Sequence, residues 1–334
     1  MIIKKLKKNN LFKFFFFLNK FYKKRHIFFS SKKIFNWQYK NNKNYNFYYL
    51  NIKKKITAIQ GYIPLDRFDK DLKNDTVFLS LWSSSTVTAG SKLFLKFLKK
   101  INYKLIAGLG GTEQSFLFQK LLKFKCGYMI HYFLTSNKSV KKLIYPNNFS
   151  NYKYLNHKVN FEELKSKKEI LTIEKNLFKS QIPKKSPNYL LNRYLNHPVY
   201  NYSIYKVVKN LKTIAIFVFR ICKYKKNSAV RIIDFVGQNK SFPHGRFLFH
   251  FLLNKFRSDY IDIYCYGVPE TYLKKSRLEN VEKYKKIKLI IPNYFEPFKK
   301  KNIVLRYAYK LLKKSKSKVR FFKGDSDLDR PNVV

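Results

Sequence analysis

Cysteine is scarce in this 334-residue chain, and no two cysteines lie close together. Cys126, Cys222 and Cys265 are far apart, and none belongs to a C-x-x-C pair. A disulfide framework needs an even set of cysteines, and a structural zinc site needs closely spaced Cys or His pairs. The sequence therefore predicts no metal site and a reducing, cytoplasmic compartment.

Long apolar runs are missing as well. The run at residues 14–18, Phe-Phe-Phe-Phe-Leu, has five apolar residues flanked by lysines. A signal-peptide core needs about 7–15 apolar residues and a membrane-spanning helix needs roughly 20. We expect neither. No acidic residue occurs before Asp66, and this bias leaves room for peripheral contact with the anionic inner face of a membrane.

Acidic residues are few throughout the chain, with 19 Asp and Glu against 71 Lys and Arg, which gives a net charge of +52. Such an excess is typical of proteins that bind polyanions. Only 11 of the 71 basic residues are arginine, however, and phosphate recognition favours the bidentate guanidinium. Because Lys, Asn, Phe, Ile and Tyr are written by AT-rich codons, codon bias is the preferred explanation. A nucleic-acid partner stays open but is not favoured.

The chain does contain an internal repeat of strand, small polar loop, amphipathic helix and second strand. A loop that enters a helix N-terminus presents free N–H groups and a positive dipole end, which suits a phosphate. The predicted elements are strand 77–82, helix 92–100 and strand 104–108 in the first copy, and strand 230–235, helix 246–256 and strand 260–264 in the second.

A segment rich in Lys, Asn and Ser separates the two copies. It covers residues 137–188 and has no clear apolar periodicity, so we interpret it as a basic linker. The predicted domains are 1–136 and 189–334. A content of 45% hydrophobic residues is sufficient for two buried cores.

Short motifs occur along both halves, at residues 35–40, 61–64, 79–82, 131–132, 196–200, 231–235, 291–298 and 324–332. Their order resembles that found in the GNAT superfamily of acyl-CoA N-acyltransferases. More narrowly, the chain resembles double-domain acetyltransferase-like proteins of bacterial surface-polysaccharide synthesis. The resemblance implies an α/β (mixed α+β) fold of tandem GNAT-like domains, each a mixed, splayed sheet flanked by helices.

The resemblance also implies an activity, namely transfer of an acyl group, expected to be acetyl, from acyl-CoA to an amino sugar or related surface-glycan precursor. In this superfamily two parallel strands splay apart to accept pantetheine, and the pyrophosphate lies on the following loop and helix start. The superfamily loop, Gln/Arg-x-x-Gly-x-Gly/Ala, is only partly kept in either half. The predicted acyl-CoA contacts are Gly90, Ser91, Lys92, Gly245 and Arg246.

Three residues are candidates for proton transfer. Asp234 lies near the end of an apolar strand, where burial raises a carboxyl pKa towards that of a useful base, although an ion pair with Arg220 or Arg231 is an alternative. His244 is a second candidate base. Tyr272 is placed by the resemblance where an acid would protonate the departing thiolate.

The last part of the chain carries alternating acids. Asp325, Asp327 and Asp329 resemble a calcium loop, but Arg330 stands at the sixth position, where that loop requires glycine, so we exclude it. The resemblance implies an acceptor pocket instead, although ion pairing would also explain the acids. Its predicted residues are His131, Tyr132, Asn293, Tyr294, Glu296, Asp325, Asp327, Asp329 and Arg330; for His131, a role as a hydrogen-bonded core residue is the alternative.

Two other functions stay open. Paired GNAT-like domains also occur in Fem-type transferases, which take amino acids from aminoacyl-tRNA, and a basic surface would suit that donor. A non-enzymatic, RNA-associated protein is the third hypothesis.

Overall fold

The structure is a computed structural model that divides into two compact units. Unit 1 comprises the described residues of 1–126, 308–314 and 330–334, and unit 2 those of 127–307 and 315–329. The domain boundaries at 136 and 188 remain a prediction. The residues that the structure describes are 2–22, 26–138, 141–146, 160–313, 315 and 317–330.

Unit 1 is built on an open sheet with the strand order β1-β3-β4-β5-β6 and helices packed on it. Its strands are β1 (Ile3–Lys7), β2 (Lys40–Asn41), β3 (Asn44–Ile52), β4 (Lys55–Pro64), β5 (Thr76–Ser84) and β6 (Leu105–Leu109). Its helices are α1 (Leu11–Phe21), α2 (Ile27–Ser30), α3 (Lys32–Tyr39), α4 (Val87–Lys100) and α5 (Glu113–Leu121).

Unit 2 contains a second mixed sheet, in the order β7-β13-β12-β11-β10-β8. Its helices are α6 (Lys167–Leu171), α7 (Pro187–Leu190), α8 (Arg246–Lys255) and α9 (Glu270–Lys275). The strands that follow β6 along the chain are β7 (Lys125–Thr135), β8 (Asn160–Leu164), β9 (Gln181–Ile182), β10 (Tyr202–Lys209), β11 (Lys212–Tyr224), β12 (Asn227–Gly237), β13 (Tyr260–Tyr266), β14 (Glu279–Asn280), β15 (Tyr294–Phe295), β16 (Phe298–Lys299), β17 (Leu305–Leu311), β18 (Lys318–Val319) and β19 (Phe321–Phe322).

The internal repeat is confirmed as β5-α4-β6 in unit 1 and β12-α8-β13 in unit 2, and both strand pairs are parallel. Helix α4 begins five residues earlier than the pattern predicts, at Val87 instead of residue 92. The side chain of Thr86 accepts a hydrogen bond from the N–H of Ala89 (3.2 Å), so threonine caps the helix there.

Each sheet is closed on one side by apolar residues of its crossover helix. In unit 1, Leu93, Phe94 and Phe97 of α4 are buried against β4 and β5, while in unit 2 Phe249 and Leu252 of α8 are buried against β11 and β12. These positions recur three and four residues apart, which is the spacing of one helix face. Within the described residues, no helix has the length and apolar composition to cross a bilayer.

Part of the segment predicted as a linker is folded within unit 2. Strand β8 pairs in antiparallel fashion with β10, and α6 opens with a capping box between Ser166 and Glu169. Residues 139–140 and 147–159 of the predicted linker lie outside the described residues.

The hairpin between β10 and β11 turns through two residues with left-handed backbone. Asn210 has φ 49° and Leu211 has φ 60°, the combination of a type I′ turn, whose preferred sequence is Asn-Gly. The Leu211 side chain is 98% exposed, so it adds no packing.

We expect Leu211→Gly to raise the free energy of unfolding by about 1 kcal/mol, because glycine adopts positive φ without strain.

Denaturant titration of both proteins measures this difference. Leu211→Ala serves as the control, since alanine removes the same exposed side chain but keeps the backbone strain. Equal stabilities for the glycine and alanine variants would contradict the strain argument.

Candidate active site

The two parallel strand pairs separate at matching points. In unit 1, β5 and β6 pair only as far as Leu79 and Gly108, although β5 continues to Ser84. In unit 2, β12 and β13 pair only as far as Ile232 and Ile263. Each repeat therefore contains a slot between its two parallel strands.

A β-bulge lies at the mouth of each slot. The register between β4 and β5 skips Leu81, which has φ 38°, and the register between β11 and β12 skips Ile233. A bulge leaves its extra residue unpaired and bends the strand, so it accounts for the separation in both units.

The slot of unit 1 reaches solvent. Trp82, Ser83 and Ser84 beyond the bulge are half-buried, and Gly108 on the opposite strand is half-buried too. Strand β5 then leads through exposed residues into the N-terminus of α4, where the amides of Val87 and Thr88 are among the four that a helix leaves without intrahelical partners.

The predicted acyl-CoA residues of this half lie within α4. The amide of Gly90 donates to Thr86 O (3.1 Å), and Ser91 Oγ donates to Val87 O (2.9 Å). A Cβ on Gly90 would lie 2.6 Å from Ser84 Oγ, so this glycine lets the helix approach β5 closely. Lys92 is exposed one turn into the helix.

The slot of unit 2 is filled by the protein itself. Strand β19 pairs in antiparallel fashion with Cys265 and Tyr266 of β13, and the amide of Gly324 donates to Ile233 O (2.8 Å). A Cβ on Gly324 would lie 2.8 Å from Ile233 Cγ2, so the fit leaves no space for a side chain. Residues 233–237 of β12 are all buried, unlike the matching residues of β5.

Ion pairs and hydrogen bonds hold the segment that fills this slot, residues 320–329, which we call the C-terminal segment. Asp329 accepts two hydrogen bonds from Arg220 (3.0 and 2.8 Å) and one from Tyr202 (2.8 Å). Arg193 donates to the carbonyls of Gly324 (3.0 Å) and Ser326 (2.6 Å).

Asp234 belongs to this network and has no exposed surface. Its carboxylate accepts from Lys185 Nζ, from Tyr194 Oη (2.7 Å) and from its own neighbour's amide at Phe235 (2.8 Å). An ion pair was the alternative role predicted for Asp234, and the structure contains one. Its partner is Lys185, not Arg220 or Arg231. The catalytic role of Asp234 stays a prediction.

Lys185 also lies 3.4 Å from Asp325, so one buried lysine faces two carboxylates. Burial raises the pKa of Asp325 to about 6, although the charge of Lys185 opposes that rise. Nothing in the sequence separates Lys185 from the other lysines, and sequence analysis did not single it out.

His131 lies in a second buried network with Asp262 and Arg231. Asp262 accepts two hydrogen bonds from Arg231 (2.8 and 2.7 Å) and contacts His131 Nε2 at 3.0 Å. Burial lowers the pKa of His131, and the hydrogen bond to Asp262 opposes this shift. The His131 ring stacks on the Tyr264 ring, with 4.0 Å between the ring centroids. The surroundings of His131 are therefore those of a hydrogen-bonded core histidine.

The predicted acceptor residues are distributed over several local environments. Glu296 accepts from Tyr200 and lies 3.5 Å from Arg220, while Tyr132 is buried in the core of unit 2. Tyr294 lies half-buried in β15, and Asp327 accepts from Ser326 (3.3 Å). Arg330 belongs to unit 1, where it lies 2.7 Å from His26 and over the ring of Phe28. The acceptor pocket stays a prediction.

A basic cavity of about 550 Å³ lies at the N-terminus of α8. Gly245 lies close to Phe217, and a Cβ at this position would be 2.6 Å from Phe217 Cζ. Burial and the charges of Lys209 and Arg246 lower the pKa of His244. Tyr272 packs against the core of unit 2. The cavity is lined by Pro243, His244, Arg246, Phe247, Lys274, Lys275 and Arg277.

Among the described residues, no group of three or more His, Cys, Asp and Glu side chains is arranged to hold a metal ion.

The burial of Lys323 predicts a pH-dependent stability for unit 2. It is buried and donates to Asn293 Oδ1, and burial, with the charge of Arg231, lowers its pKa from 10.5 to about 7. Between these two values the unfolded chain binds a proton that the folded chain does not, so this lysine makes stability rise with pH. We expect the free energy of unfolding of the native chain, minus that of Lys323→Met, to increase by several kcal/mol from pH 7 to pH 10. The slope should be about 1.4 kcal/mol per pH unit.

Denaturant unfolding of both proteins at a series of pH values measures this slope. Lys318→Met, at an exposed position, is the control and should give a curve parallel to that of the native chain. Parallel curves for Lys323→Met would show that Lys323 keeps its ordinary pKa.

Comparisons with solved structures support the fold. The chain is similar to a GCN5-related N-acetyltransferase from Anabaena variabilis (10% identity, TM-score 0.54, covering 93% of this chain and 73% of that one). It is also similar to a GCN5-related N-acetyltransferase from Kribbella flavida (8%, TM-score 0.52, 93% and 71%) and to a probable N-acyltransferase from Enterococcus faecalis (10%, TM-score 0.51, 91% and 71%).

No family model and no curated protein matches the chain. At these identities the likeness concerns the fold alone. The predicted fold class is confirmed: the protein has a mixed α/β, GNAT-like fold with mixed sheets flanked by helices.

Proposed function

We propose that the protein is an acyl-CoA-dependent N-acyltransferase whose donor binds in the slot of unit 1. The observation that carries the proposal is the separation of β5 from β6 beyond Leu79 and Gly108, which leaves half-buried strand residues next to an open helix N-terminus. The likeness of the fold to two N-acetyltransferase structures and to one probable N-acyltransferase is consistent with this proposal.

The slot suits the two ends of coenzyme A. An extended chain with amide groups, such as pantetheine, can pair with the free edge of β5 as a further strand would. The pyrophosphate then meets the amides of Val87 and Thr88, where the helix dipole favours negative charge. Lys92 adds a positive charge one turn further along, and Gly90 keeps the helix start close to the strand.

The slot of unit 2 does not serve as a second donor site in this proposal. The C-terminal segment already pairs with β13 and hydrogen-bonds to Ile233 there. We therefore assign donor binding to unit 1 and treat Gly245 as a packing residue, given its contact with Phe217.

The proposed reaction is direct attack of an acceptor amine on the thioester carbonyl. A C–N bond forms, the C–S bond breaks, and the sulfur leaves with the electron pair. The nitrogen loses one proton and the thiolate gains one, so the reaction needs no net acid or base. The bulge at Leu81 leaves its backbone unpaired with β4, where an N–H can polarise the carbonyl oxygen. The roles of His244 and Tyr272 in these proton transfers stay predictions.

For the acceptor we propose the amine of an amino sugar or a related surface-glycan precursor. This rests on the motifs at residues 196–200, 291–298 and 324–332, which resemble those of double-domain proteins of surface-polysaccharide synthesis. Sugar hydroxyls and neutral amines both donate and accept hydrogen bonds. The Asn, Tyr, Glu and Asp side chains of these motifs can therefore bind them.

Thr88→Glu tests the donor site directly. Thr88 is exposed at the second position of α4, where an acid interacts favourably with the helix dipole, so folding should be unaffected or slightly improved. The new carboxylate should repel the pyrophosphate. We expect coenzyme A to raise the melting temperature of the native chain and of Thr88→Gln, and to leave that of Thr88→Glu unchanged.

A rise of the same size in Thr88→Glu would place the donor elsewhere. No rise in the native chain would contradict acyl-CoA as the donor and favour an aminoacyl-tRNA. The acceptor is tested separately, by release of the coenzyme A thiol from acetyl-CoA in the presence of glucosamine.

A further inference from the structure

Helix α1 has apolar side chains on its outer face as well as its inner face. Phe14, Phe17 and Leu18 are buried in unit 1, whereas Phe12 is 84% exposed and Phe16 is 66% exposed one turn later. Exposed phenylalanine rings in adjacent turns of a helix form a contiguous apolar surface, and such surfaces mark interaction sites. We call Phe12, Phe16 and the two lysines beside them, Lys13 and Lys20, the N-terminal face.

A basic cavity lies directly beside this face. It has a volume of about 670 Å³, and its lining includes Leu11 and Phe15 of α1 and Lys8, which precedes the helix. Phe15 lies three residues after Phe12, a spacing that makes two side chains neighbours on a helix surface, so the cavity borders the exposed rings. Its lining residues, which we call the lysine cavity, are Lys8, Leu11, Phe15, Lys32, Phe35, Asn36, Lys40, Asn42, Lys43 and Tyr45.

The charged residues of both features are all lysines. The cavity lining contains four lysines and no acid, and the sequence has no Asp or Glu before Asp66. Lys8, Lys32, Lys40 and Lys43 are all exposed. The partner of this surface must therefore offer negative charge together with an apolar layer.

A second copy of the chain does not meet this requirement. It would bring another acid-free, lysine-rich face against the first, and like charges across an interface oppose association. Single-stranded RNA offers negative charge, but proteins that bind it place aromatic rings along a basic groove that follows the backbone, whereas Phe12 and Phe16 lie on the exposed surface of a helix.

We propose that the N-terminal face binds the surface of an anionic phospholipid membrane. Phe12 and Phe16 enter the boundary between headgroups and acyl chains, and α1 lies in the plane of the interface. The lysine cavity takes a lipid phosphate, and Lys13 and Lys20 contact neighbouring headgroups. Membrane binding does not depend on acyl transfer, so this proposal and the proposed function are tested independently.

Vesicle co-sedimentation of the full chain tests the proposal. One vesicle preparation is phosphatidylcholine, and the other contains phosphatidylcholine with about one quarter phosphatidylserine. We expect binding to the anionic vesicles that is weakened by salt, and at least about tenfold weaker binding to pure phosphatidylcholine.

Substitutions separate the two contributions. Phe12→Ser with Phe16→Ser should weaken vesicle binding by at least about tenfold, with an unchanged melting temperature because both rings are exposed. Lys40→Glu with Lys43→Glu should weaken it comparably. Leu121→Ser on α5, where the native side chain is 80% exposed, is the matched control and should bind as the native chain does.

Several results would overturn the proposal. One is equal binding to both kinds of vesicle, and another is unchanged binding by the double phenylalanine variant. A concentration-dependent dimer in analytical ultracentrifugation that this variant abolishes would identify the face as a self-interface. Binding of a uridine oligonucleotide that vesicles fail to displace, and that this variant weakens, would identify it as an RNA site.

Discussion

A pair of parallel strands that stops pairing partway along its length leaves backbone N–H and C=O groups that need other partners. This constraint governs both halves of the protein. In unit 2 the C-terminal segment supplies the partners, because β19 continues the ladder of β13 and Gly324 bonds to Ile233. In unit 1 the corresponding residues of β5, Trp82 to Ser84, are half-buried, and among the described residues no strand takes the place that β19 takes in unit 2. The same strand arrangement thus produces a closed structural element in one unit and a candidate binding slot in the other.

Arginine and lysine have different tasks in this chain. Arg193, Arg220, Arg231 and Arg320 are buried in unit 2, where their planar guanidinium groups bond to carboxylates and carbonyls from several directions. Most lysines are exposed, and Lys185 and Lys323 are notable exceptions. Buried ion pairs contribute little net stability compared with apolar residues, but removing one partner is costly. The pairs of Arg220 with Asp329 and Lys185 with Asp325 therefore fix where the C-terminal segment lies more than they strengthen the fold.

The sequence predicted the elements with strong local signals. The apolar strands and the amphipathic helices of both repeats were recognisable from their periodicity, and their order indicated the fold class. The start of α4 was missed because Ala89-Gly90-Ser91 looks like a loop, whereas the threonine cap at Thr86 decides where the helix begins. The occupant of the unit 2 slot could not be predicted, since a strand of two residues has no periodicity and its partners are distant in sequence. Asp262 gave a weak signal, as a lone acid in an apolar strand, while Lys185 gave none.

The contacts that complete unit 2 join residues that are far apart in the chain. Asp262 contacts His131 across 131 residues, and Arg220 contacts Asp329 across 109. During vectorial synthesis on a ribosome, β12 and β13 emerge well before the segment that fills the space between them. Unit 2 must therefore wait with an unsatisfied strand edge until about residue 329 has been made, and such long-range closure is slow compared with local folding. Unit 2 therefore acquires its final structure late, and an incompletely made chain would expose a sheet edge of the kind that chaperones recognise.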